Sequence, residues 1–353
     1  MDLAGLSGYL PAVERRLARS YAEAAPSAPA PVRPYVARNR EFTLRGGKRF
    51  RALLVLGGYH IATGRRPDPV VPAAAAVEHF QSWMLIHDEI IDHAETRRGG
   101  PTIHRAVARA EAHGRPTPAT DEFGVGVGIT LGDLEEPFTL AALLAVRAPP
   151  AARLAALAEM VRMCRLTAYG QLLDLRNGRL DPARVTEQDV LDVHRLKSAI
   201  YTVAAPLRIG ALLAEGSAPL VRDLEAIATD IGIAFQLRDD VLGAGFDADA
   251  IGKSANDLVE GKRTLLVVDT WRRGSAGERA AVGRVLGRPS SSEAAVDRAR
   301  EAIRSSGALA ASERKISELT RRARRRLDRS RAIPGRAKPL LDEVADRLTR
   351  RSR

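Results

Sequence analysis

Asp88 and Asp92 stand four positions apart in His87-Asp88-Glu89-Ile90-Ile91-Asp92. On a helix that spacing puts both carboxylates on one face, about one turn from each other. Such a pair suits a hard cation such as Mg2+, which takes oxygen ligands and keeps positions open for phosphate. Arg97 and Arg98 follow, just before Gly99, Gly100 and Pro101, where the helix is expected to end. Their forked guanidinium donors match phosphate oxygens two at a time. Carboxylates for metal and then arginines for phosphate describe a diphosphate site. Taken alone, the stretch reads equally well as a solvated helix face with a basic cap.

A second acidic group, Asp239-Asp240, closes another apolar stretch about 150 positions on, and Lys253 and Lys262 come after it. Lysine is scarce: 6 of the 55 basic residues, the other 49 being arginine. Lys48, Lys253 and Lys262 each follow a glycine, where backbone can approach an anion closely, and Lys197 precedes Ser198. In a chain that otherwise writes arginine, these positions read as chosen for a compact ammonium charge. Lys48 and Arg51, three apart on an expected helix, would grip one phosphate from a shared face. Metal between two acidic groups, with Arg97, Lys197 and Lys253 around it, suits chemistry in which diphosphate departs as charge builds on its oxygens.

The elements that must position these residues read as helices. They are expected over 7–25, from near Val36 through the Gly46-Gly47-Lys48 stretch to Ile61, over Val70–Ala94, and over 151–176. Thr186 opens a further helix that contains Lys197, and Leu220–Leu242 forms another. Glu78 and Gln81 interrupt a run that otherwise looks buried; polar groups there cost free energy unless satisfied, which favours a cavity lining. Gly124, Gly126 and Gly128 read as close helix packing, because the full nucleotide-loop pattern is missing. Ile316, Leu319, Ala323 and Leu327 mark one apolar helix face whose other sides carry solvated arginines. With 45% hydrophobic and 4% aromatic residues, and no alternating strand pattern, the expectation is an all-α chain in one domain over 1–353. Within it, a helix and Pro-rich connector occupy 1–34, a core about 36–270, and C-terminal helices about 271–353.

Several function classes drop out. The formal charge of +12 is spread along the chain with no aromatic-interleaved basic stripe, so nucleic acid is not an expected partner. No uninterrupted apolar run reaches the roughly 18 residues of a membrane span. The longest candidate, 139–161, is broken by Arg147, Pro149, Pro150 and Arg153. No basic region near Asp2 suggests a secretory leader, and the single cysteine excludes an internal disulfide, so the expected location is cytoplasmic. Cys164, beside Met160 and Met163, reads as core and not as a nucleophile.

The ordered motifs GGKRFR, HDEIID, RRGGPTIH, GD, GQLLDL, KS, FQLRDD and GKSANDLVEGKRT, between Gly46 and Leu266, resemble those of the trans-isoprenyl diphosphate synthases, or polyprenyl synthetases. The resemblance implies a helical bundle of the terpenoid synthase type, a homodimer, and Mg2+, three ions per site. It implies condensation of isopentenyl diphosphate with an allylic diphosphate. By that likeness Asp88, Asp92 and Asp239 hold metal, with Asp240 nearby. Arg97, Lys197 and Lys253 grip the allylic diphosphate. Gly47, Lys48, Arg51, Gln81 and Arg98 seat isopentenyl diphosphate, and Lys262 joins the substrate-binding set. Ser198 and Gln236 face the developing allylic cation. Trp83 and Met84, the fifth and fourth residues before the first motif, block a long tail, so a C15 or C20 product is expected.

Three departures from the family pattern stand out. Glu89 replaces the usual second Asp, moving a carboxylate by about 1.5 Å in a demanding Mg2+ geometry. Gly243 replaces the last Asp of the second motif, with Asp247 as the nearby candidate to compensate. Ser198 stands where Thr is commoner, keeping the hydroxyl. Two other readings keep the fold: a cyclase-like relative acting on a prenyl diphosphate without isopentenyl diphosphate, and a non-catalytic partner subunit. A metal phosphohydrolase built on His87-Asp88 lacks suitably spaced histidine ligands among His60, His79 and His93.

Overall fold

The computed structural model describes residues 1–112, 115, 117–246 and 256–349. Helices dominate, and the only strands among the described residues are the two-residue antiparallel pair Thr96–Arg97 and Gly100–Pro101. Chain contacts divide the protein into two compact units. One comprises Met1–Ala158 with Pro206–Gly216; the other comprises Glu159–Ala205 with Ser217–Arg353.

The first unit is built on the helix Val71–Ile91, which packs against Pro118–Leu144, Phe50–Thr63 and Leu10–Ala24. Pro72 sits in its first turn, where a missing N–H costs nothing, and the small residues Ala73–Ala76 let neighbours approach. A buried polar network pins its register. His79 Nδ1 lies 2.7 Å from Glu135 Oε2, and Nε2 lies 3.0 Å from Ser20 Oγ. The Tyr21 hydroxyl donates its one proton to Glu135 and lies 2.9 Å from Thr43 Oγ1, which also reaches Glu135. A satisfied network of this kind admits one alignment of four helices, because a slip would strand every member. Glycine packing is as expected at two of the three positions: a Cβ on Gly124 would stand 2.3 Å from the His104 carbonyl, and one on Gly128 would stand 2.9 Å from Ile90 Cδ1. Gly126 faces open space.

His104 is itself buried at 4% exposure, and burial together with Arg105 pulls its pKa down to about 4. The unfolded chain binds that proton near 6.5. The neutral ring therefore contributes stability that is present above pH 6.5 and is lost as pH falls towards 4, on the order of 2 kcal/mol. Urea unfolding of the wild type and His104→Gln across pH 4–7 is expected to show a shallower acid slope for the variant; parallel slopes would refute the assignment.

The second unit centres on the helix Ala218–Gly243, packed against 194–204, Ala308–Arg329 and Lys338–Thr349. Thr186 and Asp189 form a reciprocal capping box that starts the helix Glu187–Val193. That helix then widens into a π-helix over His194–Ala204, a form that is rare and concentrates at functional sites. On Ala308–Arg329 the predicted apolar face Ile316, Leu319, Ala323 and Leu327 is buried. The arginines beside it are not simply solvated: Arg322 clamps Asp230 through two bonds of 2.9 and 2.6 Å, and Arg324 reaches Asp346 at 2.6 Å.

Several expected boundaries move. The helix thought to run from Val36 to Ile61 is two, Arg33–Leu44 and Phe50–Thr63, and the first motif helix stops at Ile91 instead of Ala94. Among the described residues the helical run long and apolar enough to match a membrane span is Glu187–Leu213, not 139–161; its most apolar 18-residue window has a mean hydropathy of 1.2 and is 72% buried inside the protein, as in a core helix.

Candidate active site

In the first unit Asp92 caps the motif helix, its N–H bonded to the Asp88 carbonyl at 2.8 Å, so the two residues stack one turn apart as the spacing predicts. Asp92 is exposed and Asp88 half-buried, whereas Leu85, Ile86 and Glu89 turn into the protein. Burial pushes the Glu89 carboxyl up to about 7, against the pull of Arg97 and Arg98. Its Oε1 lies 3.6 Å from Arg97 Nε. The buried Glu89 carboxylate thus faces Arg97, whose own side chain is about half exposed.

Gly46 and Gly47 take positive φ values of 59° and 116°, which glycine adopts without strain. The turn they make delivers Lys48 to the surface and Arg49 to the interior. Phe50 begins the next helix, so Lys48 and Arg51 do not share a helix face; Lys48 lies on the turn before it. Arg49, itself left-handed at φ 46° and 3% exposed, contacts Glu78 at 3.4 Å and donates to the Thr43 carbonyl at 2.8 Å. The Ala52 N–H donates to Glu78 Oε1 at 3.1 Å. Glu78 therefore anchors this turn and does not line a cavity. The Arg98 guanidinium stacks over Gly47, where a Cβ would lie 3.3 Å from its Cζ. Arg45 ties the turn to the small hairpin by donating to the Arg97 and Pro101 carbonyls at 3.2 and 3.0 Å. Burial lowers the Arg98 pKa, and the nearby charges of Arg49, Arg97 and Arg51 lower it further while Glu78 opposes them. Guanidinium groups gathered this closely suit the binding of a phosphate.

Gln81 lies seven residues before Asp88, on the same helix face, and is half-buried. Trp83 packs edge-on against Phe80 at 5.8 Å between ring centroids, with Met84 beside it, about a turn before Asp88.

In the second unit the π-helix carries Lys197 and Ser198. Lys197 Nζ donates to Asp174 Oδ2 at 2.7 Å. Gly170 permits this approach, since a Cβ there would stand 2.3 Å from the Lys197 amide nitrogen. Asp239 is half-buried near the C-terminal end of Ala218–Gly243. Asp240 is buried at 5%; it accepts from Gln236 Nε2 at 3.1 Å and lies 2.9 Å from His194 Nε2. Gln236 is thus tied to the motif carboxylate next to Asp239. Lys262 Nζ bonds Asp257 Oδ1 at 2.7 Å and Glu260 Oε2 at 3.0 Å. Burial works against its charge, but Asp257 and Glu260 outweigh that and raise its pKa. Burial raises the Asp257 carboxyl, Lys262 opposes this, and Asp240 adds repulsion. Lys253 and Asp247 lie outside the described residues.

Sequence reasoning missed four contributors: Asp174, His194, Asp257 and the anchoring role of Glu78. Asp174 sat inside a quoted motif, while the pairing of His194 with Asp240 spans 46 positions and leaves no trace in spacing.

The donor set fits a hexacoordinate oxygen-loving cation. Asp88 and Asp92 offer two carboxylates outside the core, and no three acidic, histidine or cysteine side chains gather into a closed cage among the described residues. Mg2+ takes one or two carboxylates and keeps its remaining positions for water and substrate phosphate.

An all-α protein with two aspartate motifs, each accompanied by basic side chains, belongs to the class of helical enzymes that handle diphosphate esters. The polyprenyl synthetase family matches residues 34–303, and the chain belongs to that family of trans-prenyltransferases. It is 32% identical to geranylfarnesyl diphosphate synthase of Aeropyrum pernix over 316 residues, covering 87% of this chain and 91% of that protein. Geranylgeranyl diphosphate synthase of Sulfolobus acidocaldarius is 31% identical over 253 residues, 70% of each chain. The crystal structure of geranylgeranyl pyrophosphate synthase from Corynebacterium glutamicum, complexed with isoprenyl diphosphate and magnesium, superposes with a TM-score of 0.89 at 34% identity, covering 99% of both chains. These likenesses favour neither the cyclase-like reading nor the inactive-subunit reading.

Proposed function

We propose that the protein condenses isopentenyl diphosphate with an allylic diphosphate to give a C15 or C20 trans-prenyl diphosphate and free diphosphate. The observation that carries the reading is the gathering of Arg97 and Arg98 on the hairpin beside Gly47 and Lys48, one loop away from two stacked aspartates. Magnesium, three ions by family likeness, supplies charge neutralisation of the leaving diphosphate when bound.

Asp88 and Asp92 hold metal in one unit and Asp239 in the other, with Asp240 fixed by Gln236 and His194 behind it. Arg97, Lys197 and Lys253 bind the allylic diphosphate. Gly47, Lys48, Arg51, Gln81 and Arg98 seat isopentenyl diphosphate, and Lys262 contributes to the substrate-binding set. The allylic C–O bond breaks with its electron pair leaving on diphosphate, and the isopentenyl double bond then forms the new C–C bond. A proton is lost to the departing diphosphate, so no protein nucleophile is needed. Ser198 and Gln236 present oxygen atoms to the positive charge while the apolar walls exclude water.

The family match runs through residues of both units, which supports reading them as one polyprenyl synthetase domain. A homodimer is supported by the stripe Leu154, Val161, Leu172 and Leu175 on the helix Pro150–Arg179, where Leu154 is 68% and Leu172 64% exposed. Monomers rarely leave so much apolar surface on one helix. A cytoplasmic location accompanies this reading.

The test incubates the protein with Mg2+, isopentenyl diphosphate and C5, C10 or C15 allylic diphosphates in turn, sizing products by chromatography. Condensation is expected; allylic substrate consumed at the same rate without isopentenyl diphosphate would reject it. Trp83→Ala is expected to lengthen the product by at least one isoprene unit, because a residue one turn below the motif sets the floor. An unchanged product would place the floor elsewhere.

A further inference from the structure

The helix Ala308–Arg329 buries Ile316, Leu319, Ala323 and Leu327 and turns its opposite side to solvent. At about 100° per residue, Arg314, Arg321, Arg325 and Arg329 fall within about 80° of arc on that outer side. All four are exposed, and none pairs with an acid among the described residues. Their neighbours differ: Arg322 and Arg326 reach Asp230, and Arg324 reaches Asp342 and Asp346. Arginines that hold the fold are thus confined to the flanks, and the outermost row holds nothing. Glu318 and Asp328 are the exposed acids of this helix, and Glu318 lies 3.5 Å from Lys315. Arg331 adds a further exposed charge just past the helix end.

Beside the end of the row is a hollow of about 280 Å3 between this helix and Ala218–Gly243. Arg326, Arg329 and Ser330 line one wall, and Asp223, Ala226 and Ile227 line the other. Ser330 Oγ donates to Asp223 Oδ2 at 2.5 Å, which engages the one acid in the lining. The hollow therefore offers two guanidinium groups over an apolar floor, a match for a phosphate on a short glycerol stem.

We propose that this face docks on the anionic surface of a lipid bilayer, the row of arginines lying along the headgroups and the hollow taking one lipid phosphate. From Arg314 to Arg329 the row is about 22 Å long, which suits an extended plane of charge better than one small anion. Charge alone holds the protein there: the apolar side of the helix is buried in the core, leaving nothing to insert between acyl chains. A nucleic acid fits less well, because no Phe, Tyr or Trp occurs from 308 to 349 to stack on bases. The benefit of docking rests on the proposed reaction, whose product is an anionic amphiphile that leaves water readily for a bilayer. The docking itself does not.

The experiment is co-sedimentation of the full chain with vesicles of equal parts phosphatidylglycerol and phosphatidylcholine, and with vesicles of phosphatidylcholine alone. Binding is expected to the mixed vesicles only. It should vanish as salt rises from about 0.1 to about 1 M and the Debye length falls from about 10 to about 3 Å. The triple variant Arg321→Gln, Arg325→Gln, Arg329→Gln is expected to bind about a hundredfold more weakly, roughly fivefold for each arginine removed from the surface. A control triple, Arg15→Gln, Arg147→Gln, Arg298→Gln, removes the same charge from exposed positions elsewhere and is expected to stay within about threefold of the parent. Melting curves confirm that both triples fold. Equal weakening by the two triples would reduce the effect to net charge and overturn the proposal. Absence of binding to the mixed vesicles, binding to phosphatidylcholine alone, or binding that survives high salt would do the same. Duplex DNA and RNA fragments are expected to compete poorly; displacement by either at less phosphate than the vesicles present would assign the face to nucleic acid instead. The readout needs no turnover, so loss of the proposed reaction and loss of docking are separate results.

Discussion

Alanine at Asp88 is expected to lower kcat for prenyl transfer about 10^3-fold, roughly 4 kcal/mol of transition-state stabilisation, with little change in melting temperature. The two effects separate because of where the residue sits. Packing of the helix Val71–Ile91 is carried by Phe80, Leu85 and Ile86, while Asp88 is only half-buried and Asp92 exposed. Removing one of two stacked carboxylates halves the charge offered to a divalent cation, so the Mg2+ concentration needed for half-maximal rate should also rise. Steady-state kinetics at several Mg2+ concentrations read both quantities. A variant within tenfold of wild type, with an unchanged Mg2+ requirement, would remove Asp88 from the metal site.

Glu78→Ala is expected to cost on the order of 3–5 kcal/mol in urea unfolding, the range for stranding a buried charge. Arg49 would lose its buried partner at 3.4 Å, keeping the Thr43 carbonyl and an exposed Glu14 at 3.5 Å. The Ala52 N–H would lose its acceptor as well. Because Arg49 holds the turn that presents Gly47 and Lys48, the KM for isopentenyl diphosphate should rise more than kcat falls. Glu78→Gln keeps an acceptor for Ala52 and is expected to lose less. A Glu78→Ala loss below about 1 kcal/mol would mean that Arg49 is compensated by other groups.

Much of the first motif was legible because helical spacing maps directly onto geometry: four residues make a turn, and Asp88 and Asp92 do stack. The buried faces of the main helices were equally readable from periodicity, down to Ile316, Leu319, Ala323 and Leu327. What failed was anything set by a partner remote in sequence. Glu78 looked like a cavity residue because a polar group in an apolar run carries no sign of what satisfies it. The carboxylate that stands against Gly243 belongs to Asp257, fourteen positions on, a pairing that spacing does not announce. The helix break at Gly46–Arg49 was hidden by good helix formers on both sides. It is enforced by positive φ angles, which propensity does not register.

The widened turns of His194–Ala204 make the length of that run a positional code. A π turn accommodates about one residue more than an α turn. Trimming a single residue there would let the run relax to ordinary helix and swing the side chains before the cut by about 100°. His194 and Lys197 would then lose Asp240 and Asp174 together, with every functional group still present in the sequence. In this stretch a one-residue gap is a heavier change than most substitutions.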